Sequence, residues 1–445
     1  MAPNRTHPVA NQALAALIEQ AGWTHSTTAE RINAVAAENG DPLYYDRSAI
    51  GHWLTGTIPR AEGICAAVEA FRRRLHRPDL APEDLGWPDV AIARSPDDPW
   101  RGDPVARLAT LGEDDMLNRR TLLTAGAFTL AALSGMTQGD EPPPRGPGRR
   151  AGASDVERIR ATTRTFADLD DQFGGGHARA AVAAYLVRDV TPMLHSTTSR
   201  SRPDLFRAAA ELSYLAAYMA MDAGENALAQ RYYISSIRLA DEAGDMTLRA
   251  TGLRSMAVQM VELGHNQLAL ALAEAAASSL GRRGPLRTMA WVTGMQAETQ
   301  AAAGSRWDAL NLLSRTEAQL DRADSLPESD WTGNYRRESF EHQTGLALTQ
   351  LGDHATAARH YTASMSTRRP IERRTHALIG LRAAHAYLLA GDVDQAAATV
   401  LKLEADVRSI SSARVRAQAR RLRADWQPYR SHPGVAAADR VVAAN

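Results

Sequence analysis

A chain of 445 residues with 51 acidic and 51 basic side chains has room for two or three domains and carries no general basic coat for nucleic acid. Its ordinary apolar content excludes a disordered chain and one that is membrane-embedded throughout. One cysteine, Cys65, excludes a disulfide framework and a cysteine-based zinc site, and its apolar run AEGICAAVEAF predicts a buried side chain.

The first residues, MAPNRTHPVANQALAAL, pass from a polar start into an amphipathic helix, with no secretory leader, so a cytoplasmic protein is expected. Residues 9 to 21 carry apolar side chains at helical spacing and stop at Gly22. STTAERINAVAAENG follows, with Thr27 and Glu30 read as a capping box and Ile32, Val35 and Ala36 on one face. After the connection GDPLYY, the stretch DRSAIGHWLTGTIPR predicts a third helix capped by Asp46. Ile50, Trp53 and Leu54 form an i, i+3, i+4 stripe for a core, which leaves Arg47, Ser48, Gly51, His52 and Thr55 facing outward. Gly56 suits the helix end, and Pro59 keeps the helix from resuming at once. A fourth helix over residues 61 to 75 ends in RRRLHRP, where Arg72, Arg73 and Arg74 read as a solvated helix end. This order of helices is that of a helix-turn-helix bundle, assigned to residues 1–87.

Residues 88–153 read as a connector. They include NRRTLLTAGAFTLAALSG (118–135), a twin-arginine-like segment whose apolar helix, 121–136, is shorter than the ~20 residues a bilayer span needs. A buried or domain-joining helix is the expectation there. GDEPPPRGPGRRAGAS behind it reads as a solvated linker.

From Ser154 the chain repeats. Glycines at 224, 264, 304, 352 and 391 are each followed five residues later by an alanine, at 229, 269, 309, 357 and 396, with a weaker copy at Gly175 and Ala180. A glycine that ends one helix and a small residue that lets the next pack closely define a unit that stacks into a superhelix. The unit resembles the tetratricopeptide repeat, its aromatic positions partly filled by Tyr233, Tyr361 and Tyr387. The fold class is therefore all-α: an N-terminal helix-turn-helix bundle followed by a tetratricopeptide-like helical-repeat superhelix over 154–430, with a tail at 431–445.

Residues 26 to 60 resemble repressor-type (Xre-like) helix-turn-helix modules, through Ser48, Ile50, Trp53, Gly56 and Pro59. That resemblance implies base reading by Arg47, Ser48 and His52, with Gly51 permitting close approach, and phosphate contacts by Thr28, Arg31 and Arg60. Over nearly the whole chain the organisation is similar to actinobacterial helix-turn-helix/tetratricopeptide regulators, a group with negative regulators of differentiation and antibiotic production. More distantly it is similar to the peptide-sensing repeat regulators of Gram-positive bacteria. The resemblance implies a DNA-binding repressor whose repeat domain takes a peptide, a small molecule or a protein as effector.

Charge opposes and then supports this reading. Residues 1–88 hold eight arginines against ten acids, but residues 44–77 hold six against three, and affinity is expected from a homodimer. Counting back from the repeat glycines places Tyr214, Tyr218, Arg254, Trp291, Glu298, His342 and His385 on a concave effector groove, where guanidinium and rings suit a peptide or carboxylate. The insertion carrying Trp331, Tyr335, Arg336 and Arg337 reads as a lid, a dimer contact or a tolerated loop. FGGGHARA reads as a helix-joining turn, since no strand precedes it. His265, His342, His354, His360 and His385 are scattered, and no catalytic, metal or cofactor motif is found. The alternative is a repeat scaffold that sequesters another regulator or acts at the membrane without binding DNA.

Overall fold

The computed structural model describes residues 10–38, 42–88, 100–117, 152–197, 200–281, 284–323 and 335–443, and among these every regular element is a helix. The apolar segment 118–136, most of the linker behind it, and Trp331 lie outside the described residues. The chain divides into two compact units, one of residues 1–144 with 224–231, the other of residues 145–223 with 232–445.

The first unit opens with α1 (Gln12–Ala21), α2 (His25–Glu38), α3 (Arg47–Leu54) and α4 (Ala61–Leu75), then a 3₁₀ turn at Pro82–Leu85 and α5 (Pro104–Leu117). Gly22 ends α1 in the left-handed region, φ +68°, and carries the chain into Trp23, whose ring meets Phe71 at 5.1 Å. That places Thr24, not Thr27, at the start of α2: the Thr24 hydroxyl accepts from the Thr27 amide at 3.1 Å, three residues before the expected cap. The Asp46 carboxylate caps α3 as expected, accepting from the amides of Ser48 and Ala49 at 2.9 Å each. Ile50, Trp53 and Leu54 enter one core with Leu14, Ile18, Ile32, Val35, Ile64, Phe71, Leu80, Leu85 and Trp87. Trp53 is its keystone, edge-on to Tyr45 at 4.7 Å and to Trp87 at 5.6 Å. The link before α3 is held by Asn33, whose side-chain amide both donates to and accepts from the Tyr45 backbone. Cys65 is buried and burial pushes its thiol up to about 11, so it is a packing residue.

The arginine run that ends α4 is solvated only in part, at Arg74. Arg72 is buried and donates to the Leu80 carbonyl at 2.8 Å, Arg73 pairs with Glu38 and Glu69, and Arg74 donates to the Ala21 carbonyl at 2.8 Å. Three consecutive positions point in different directions around a helix, and here each direction meets a neighbouring segment that needs a donor.

The second unit is built from helix pairs, the helix Asn226–Glu242 belonging to it from Tyr232 onward. The long α6 (Ala153–Phe173) precedes α7 (Arg179–Tyr185), which runs through a π turn into α8 (Thr191–Ser196). Five pairs follow: α9 (Arg202–Ala223) with α10 (Asn226–Glu242), α11 (Met246–Glu262) with α12 (Asn266–Leu280), α13 (Leu286–Ala302) with α14 (Arg306–Asp321), α15 (Arg337–Gln350) with α16 (His354–Thr367), and α17 (Arg373–Leu389) with α18 (Val393–Lys402). α19 (Glu404–Ser409), α20 (Ala413–Asp425) and α21 (Pro433–Ala443) complete it. The five repeat glycines all stand at positive φ, between 78° and 88°, and the five alanines are fully buried. The copy at Gly175 and Ala180 does not belong to the set: the left-handed residue is Gly174, and Ala180 is exposed. Gly174 and Gly175 instead let the α6–α7 turn press on the backbones of Ser411 and Met219, where a Cβ would lie 2.4 and 2.3 Å from a carbonyl oxygen.

The expected C-terminal tail is also a correction. Residues 433–443 form α21, and Val435, Ala438, Val441 and Val442 join the core made by α17, α18 and α20 around Trp426. The first-helix layer curls on itself, since α17 packs against α6, which packs against α9, and α20 rests on both α17 and α9. No helix among the described residues is long and apolar enough to cross a membrane.

Candidate nucleic-acid interface and repeat interior

Anchored by three apolar side chains and one cap, α3 turns the rest of its surface outward. Arg47, Ser48 and His52 are exposed, and a Cβ on Gly51 would meet nothing within 4 Å, so a ligand can approach the backbone there. Arg31 on α2 and Arg60 before α4 are exposed, and neither they nor Arg47 form an ion pair among the described residues. Thr28 is different. It is fully buried, and its hydroxyl donates to the Thr24 carbonyl at 2.9 Å, so its side chain does not face a phosphate. Because Arg72 and Arg73 bind inside the unit and Arg77 pairs with Asp79, the positive charge counted over residues 44–77 reduces, on the outside, to Arg47, Arg60 and Arg74, whose Nε donates to the Ala21 carbonyl. Tyr44 and Ile58 flank this face as exposed apolar side chains that the periodicity did not single out.

Most of the residues counted onto the concave face of the repeats meet one another within the second unit, with Tyr218, Arg254, Trp291 and His342 partly buried. Arg254 lies over the Trp291 ring at 4.5 Å and lowers the pKa of Glu298, which burial raises more strongly. Glu298 accepts from the Gln343 amide at 3.2 Å, and Gln343 accepts from the Tyr335 hydroxyl at 2.9 Å. His342 is held far below the usual histidine range by burial and by Arg382, Arg368, Arg414 and Arg254, so its Nε2 is an acceptor for Arg382 at 2.8 Å. Arg382 also binds Glu262, as does Arg414 of α20. Partial desolvation pushes the Glu262 carboxyl up, but Arg414 and Arg382 outweigh it and hold the carboxyl below the usual carboxylate range, with the side chain still in contact with solvent.

Tyr218 belongs to a second cluster. Its hydroxyl accepts from Arg374 at 2.9 Å and its ring lies 4.8 Å beneath the same guanidinium. Arg374 is almost wholly buried and reaches Asp170 at 2.9 Å, Asp171 at 3.0 Å and Asp222 at 3.9 Å. Asp222 in turn accepts from the Ser412 hydroxyl at 2.7 Å and the Gly175 amide at 2.9 Å. Tyr214 stands apart, bonded to Ser255 at 2.9 Å, and His385 sits against Asp425 at 2.6 Å and Gln418 on the α20 side.

Thus Arg254, Trp291, Glu298 and His342 share one network and Tyr218 joins another, while Tyr214 bonds Ser255 and His385 bonds Asp425. Sequence counting missed Arg374, Arg382, Arg414 and Glu262, which do most of the joining. An arginine in an apolar first-helix stripe, as Arg374 and Arg382 are, was the available signal. Of the insertion, only its end from Tyr335 onward is described. Tyr335 is buried with its carbonyl on Arg287, and Arg337 opens α15 paired with Glu317 and Glu341. Among the described residues no three His, Cys, Asp or Glu side chains converge as a metal site would require.

A family model described as the SP15 N-terminal domain matches residues 14–88. The match coincides with the core that runs from Leu14 to Trp87, so the stretch that is similar to that family is the stretch that folds around Trp53. No curated protein and no solved structure matches the chain.

Proposed function

We propose that the protein is a DNA-binding regulator in which α2 and α3 act as a helix-turn-helix and α3 enters the major groove of double-stranded DNA. One observation carries the reading: α3 is fixed from behind by Ile50, Trp53 and Leu54 while Arg47, Ser48, Gly51 and His52 share its free face. Arg47 is the side chain for a bidentate contact to guanine, and His52 and Ser48 lie beside it. Arg31 and Arg60 set register on phosphates. With so few outward cations in one module, useful affinity comes from a homodimer that engages two half-sites together. The repeat domain takes the effector, a peptide, a small molecule or a protein, and alters the pairing of the two modules; repression is the outcome implied by resemblance.

Selection of fragmented genomic DNA by the full-length protein tests this. A few near-palindromic sites are expected, and Arg47→Ala costs about 1–3 kcal/mol on the preferred site, roughly 5- to 150-fold in affinity. Equal enrichment by wild type and by the Arg47→Ala/His52→Ala variant would overturn the assignment of α3.

A further inference from the structure

The chain is neutral overall, yet residues 413–430 hold six arginines against one acid, Asp425, a net charge of +5. On α20 the apolar side is already used: Val415, Ala419 and Leu422 are buried in the C-terminal core with Trp426 just beyond. The opposite side presents Arg420 and Arg421 exposed and Arg416 partly so, with Ala417 and Ala424 between them. Arg416 and Arg420 are one turn apart, about 6 Å along the helix, and Arg421 flanks them. The acids nearest in the fold are engaged, Asp425 by His385 and Asp439 by Arg423 and Trp426. No carboxylate pairs with Arg416, Arg420, Arg421 or the exposed Arg430 among the described residues.

From this placement we propose that the exposed face of α20 is a second nucleic-acid surface, one that contacts the phosphate backbone of double-stranded DNA without reading sequence. Guanidiniums in a row bind phosphate oxygens bidentately, and the alanines between them let the backbone approach. A lipid surface fits less well, because α20 has no apolar side chain left to insert once its core face is buried. The choice of DNA over another polyanion rests on the reading of α3 above, but the test separates the two.

Full-length wild type, Arg416→Gln/Arg420→Gln/Arg421→Gln, the α3 variant Arg47→Ala/His52→Ala, and all five changes combined are titrated against a random-sequence duplex between 50 and 200 mM salt. Three lost phosphate contacts should flatten the slope of log affinity against log salt by about 2 to 3. Wild type and the α3 variant should show the steep slope, and both proteins lacking the α20 arginines the shallow one. The corresponding triple lysine variant should keep the slope, and circular dichroism should show the glutamine variant folded, since none of the three side chains forms an ion pair among the described residues. An unchanged slope in the folded glutamine variant overturns the proposal, as does a wild type that leaves the duplex unbound or that prefers phosphatidylserine vesicles to it. Equal selection of genomic sites by wild type and the α3 variant, with the α20 effect intact, would count against α3 and not against α20.

Discussion

Replacing Arg374 by methionine removes the side chain on which the closure of the repeat layer depends. In wild type its guanidinium, 3% exposed, binds the Asp170 and Asp171 carboxylates of α6, the Tyr218 hydroxyl of α9, and, more distantly, Asp222. Methionine fills much of the volume but leaves Asp170 and Asp222, both buried, without the guanidinium they share, and only the more distant Arg414 as a counter-charge. Breaking a buried pair in this way costs about 3–5 kcal/mol, since the remaining charge keeps its desolvation penalty and loses its partner. The loss depends on pH. Burial pushes the Asp170 carboxyl up to about 7 even against the pull of Arg374, and without the arginine it rises further. A carboxyl that binds its proton more tightly folded than unfolded favours the folded state at low pH, and that contribution disappears as pH rises through its folded value. Wild type loses this contribution between about pH 4 and 7, whereas the variant goes on losing it above 7. The stability gap between them should therefore be small at pH 5.5 and widen by pH 8.5. Urea unfolding followed by far-ultraviolet circular dichroism measures the gap, and Asp170→Asn in the Arg374→Met background should close part of it at the higher pH. A gap of equal size at both pH values, or one under about 1 kcal/mol at pH 8.5, would refute the reasoning.

Gly345→Ala should destabilise the repeat unit by about 1–3 kcal/mol, because the added Cβ would stand 2.6 Å from the Tyr361 ring; a thermal-melt comparison with wild type measures it. His342 is neutral in the fold, so acid must add a proton beside Arg382 and Arg414. Its contribution is present above the free histidine pKa and falls as pH drops below about 6.5, and His342→Gln, which keeps an acceptor for Arg382, should weaken that decline in melts run from pH 7 to 5.

The elements that local chemistry decides were legible in advance. Asp46 ahead of Ile50, Trp53 and Leu54 specifies where α3 starts and which side is buried, because a cap and a 3.6-residue period act within two turns. The five glycine and alanine pairs specify the repeat, because a left-handed turn and a close helix contact each demand one residue type. What the periodicity does not carry is the partner of a polar side chain. Thr28 and the three arginines of α4 looked available to solvent or phosphate, and each is bonded within the first unit. The groove residues Tyr218, Arg254, Trp291 and His342 are partly buried, and which polar partners they meet depends on α17 returning to α6. Arg374 meets Asp170 across 204 residues, and Glu262 meets Arg382 and Arg414 across 120 and 152. Helical period and turn chemistry act over a few residues of chain, so the sequence alone determines the helices with a clear cap or apolar stripe, their buried faces and the five-copy repeat, but not the α21 helix at 433–443. Pairing between buried charges depends on how the summed curvature of five helix pairs brings distant first helices together, and only the tertiary structure decides it.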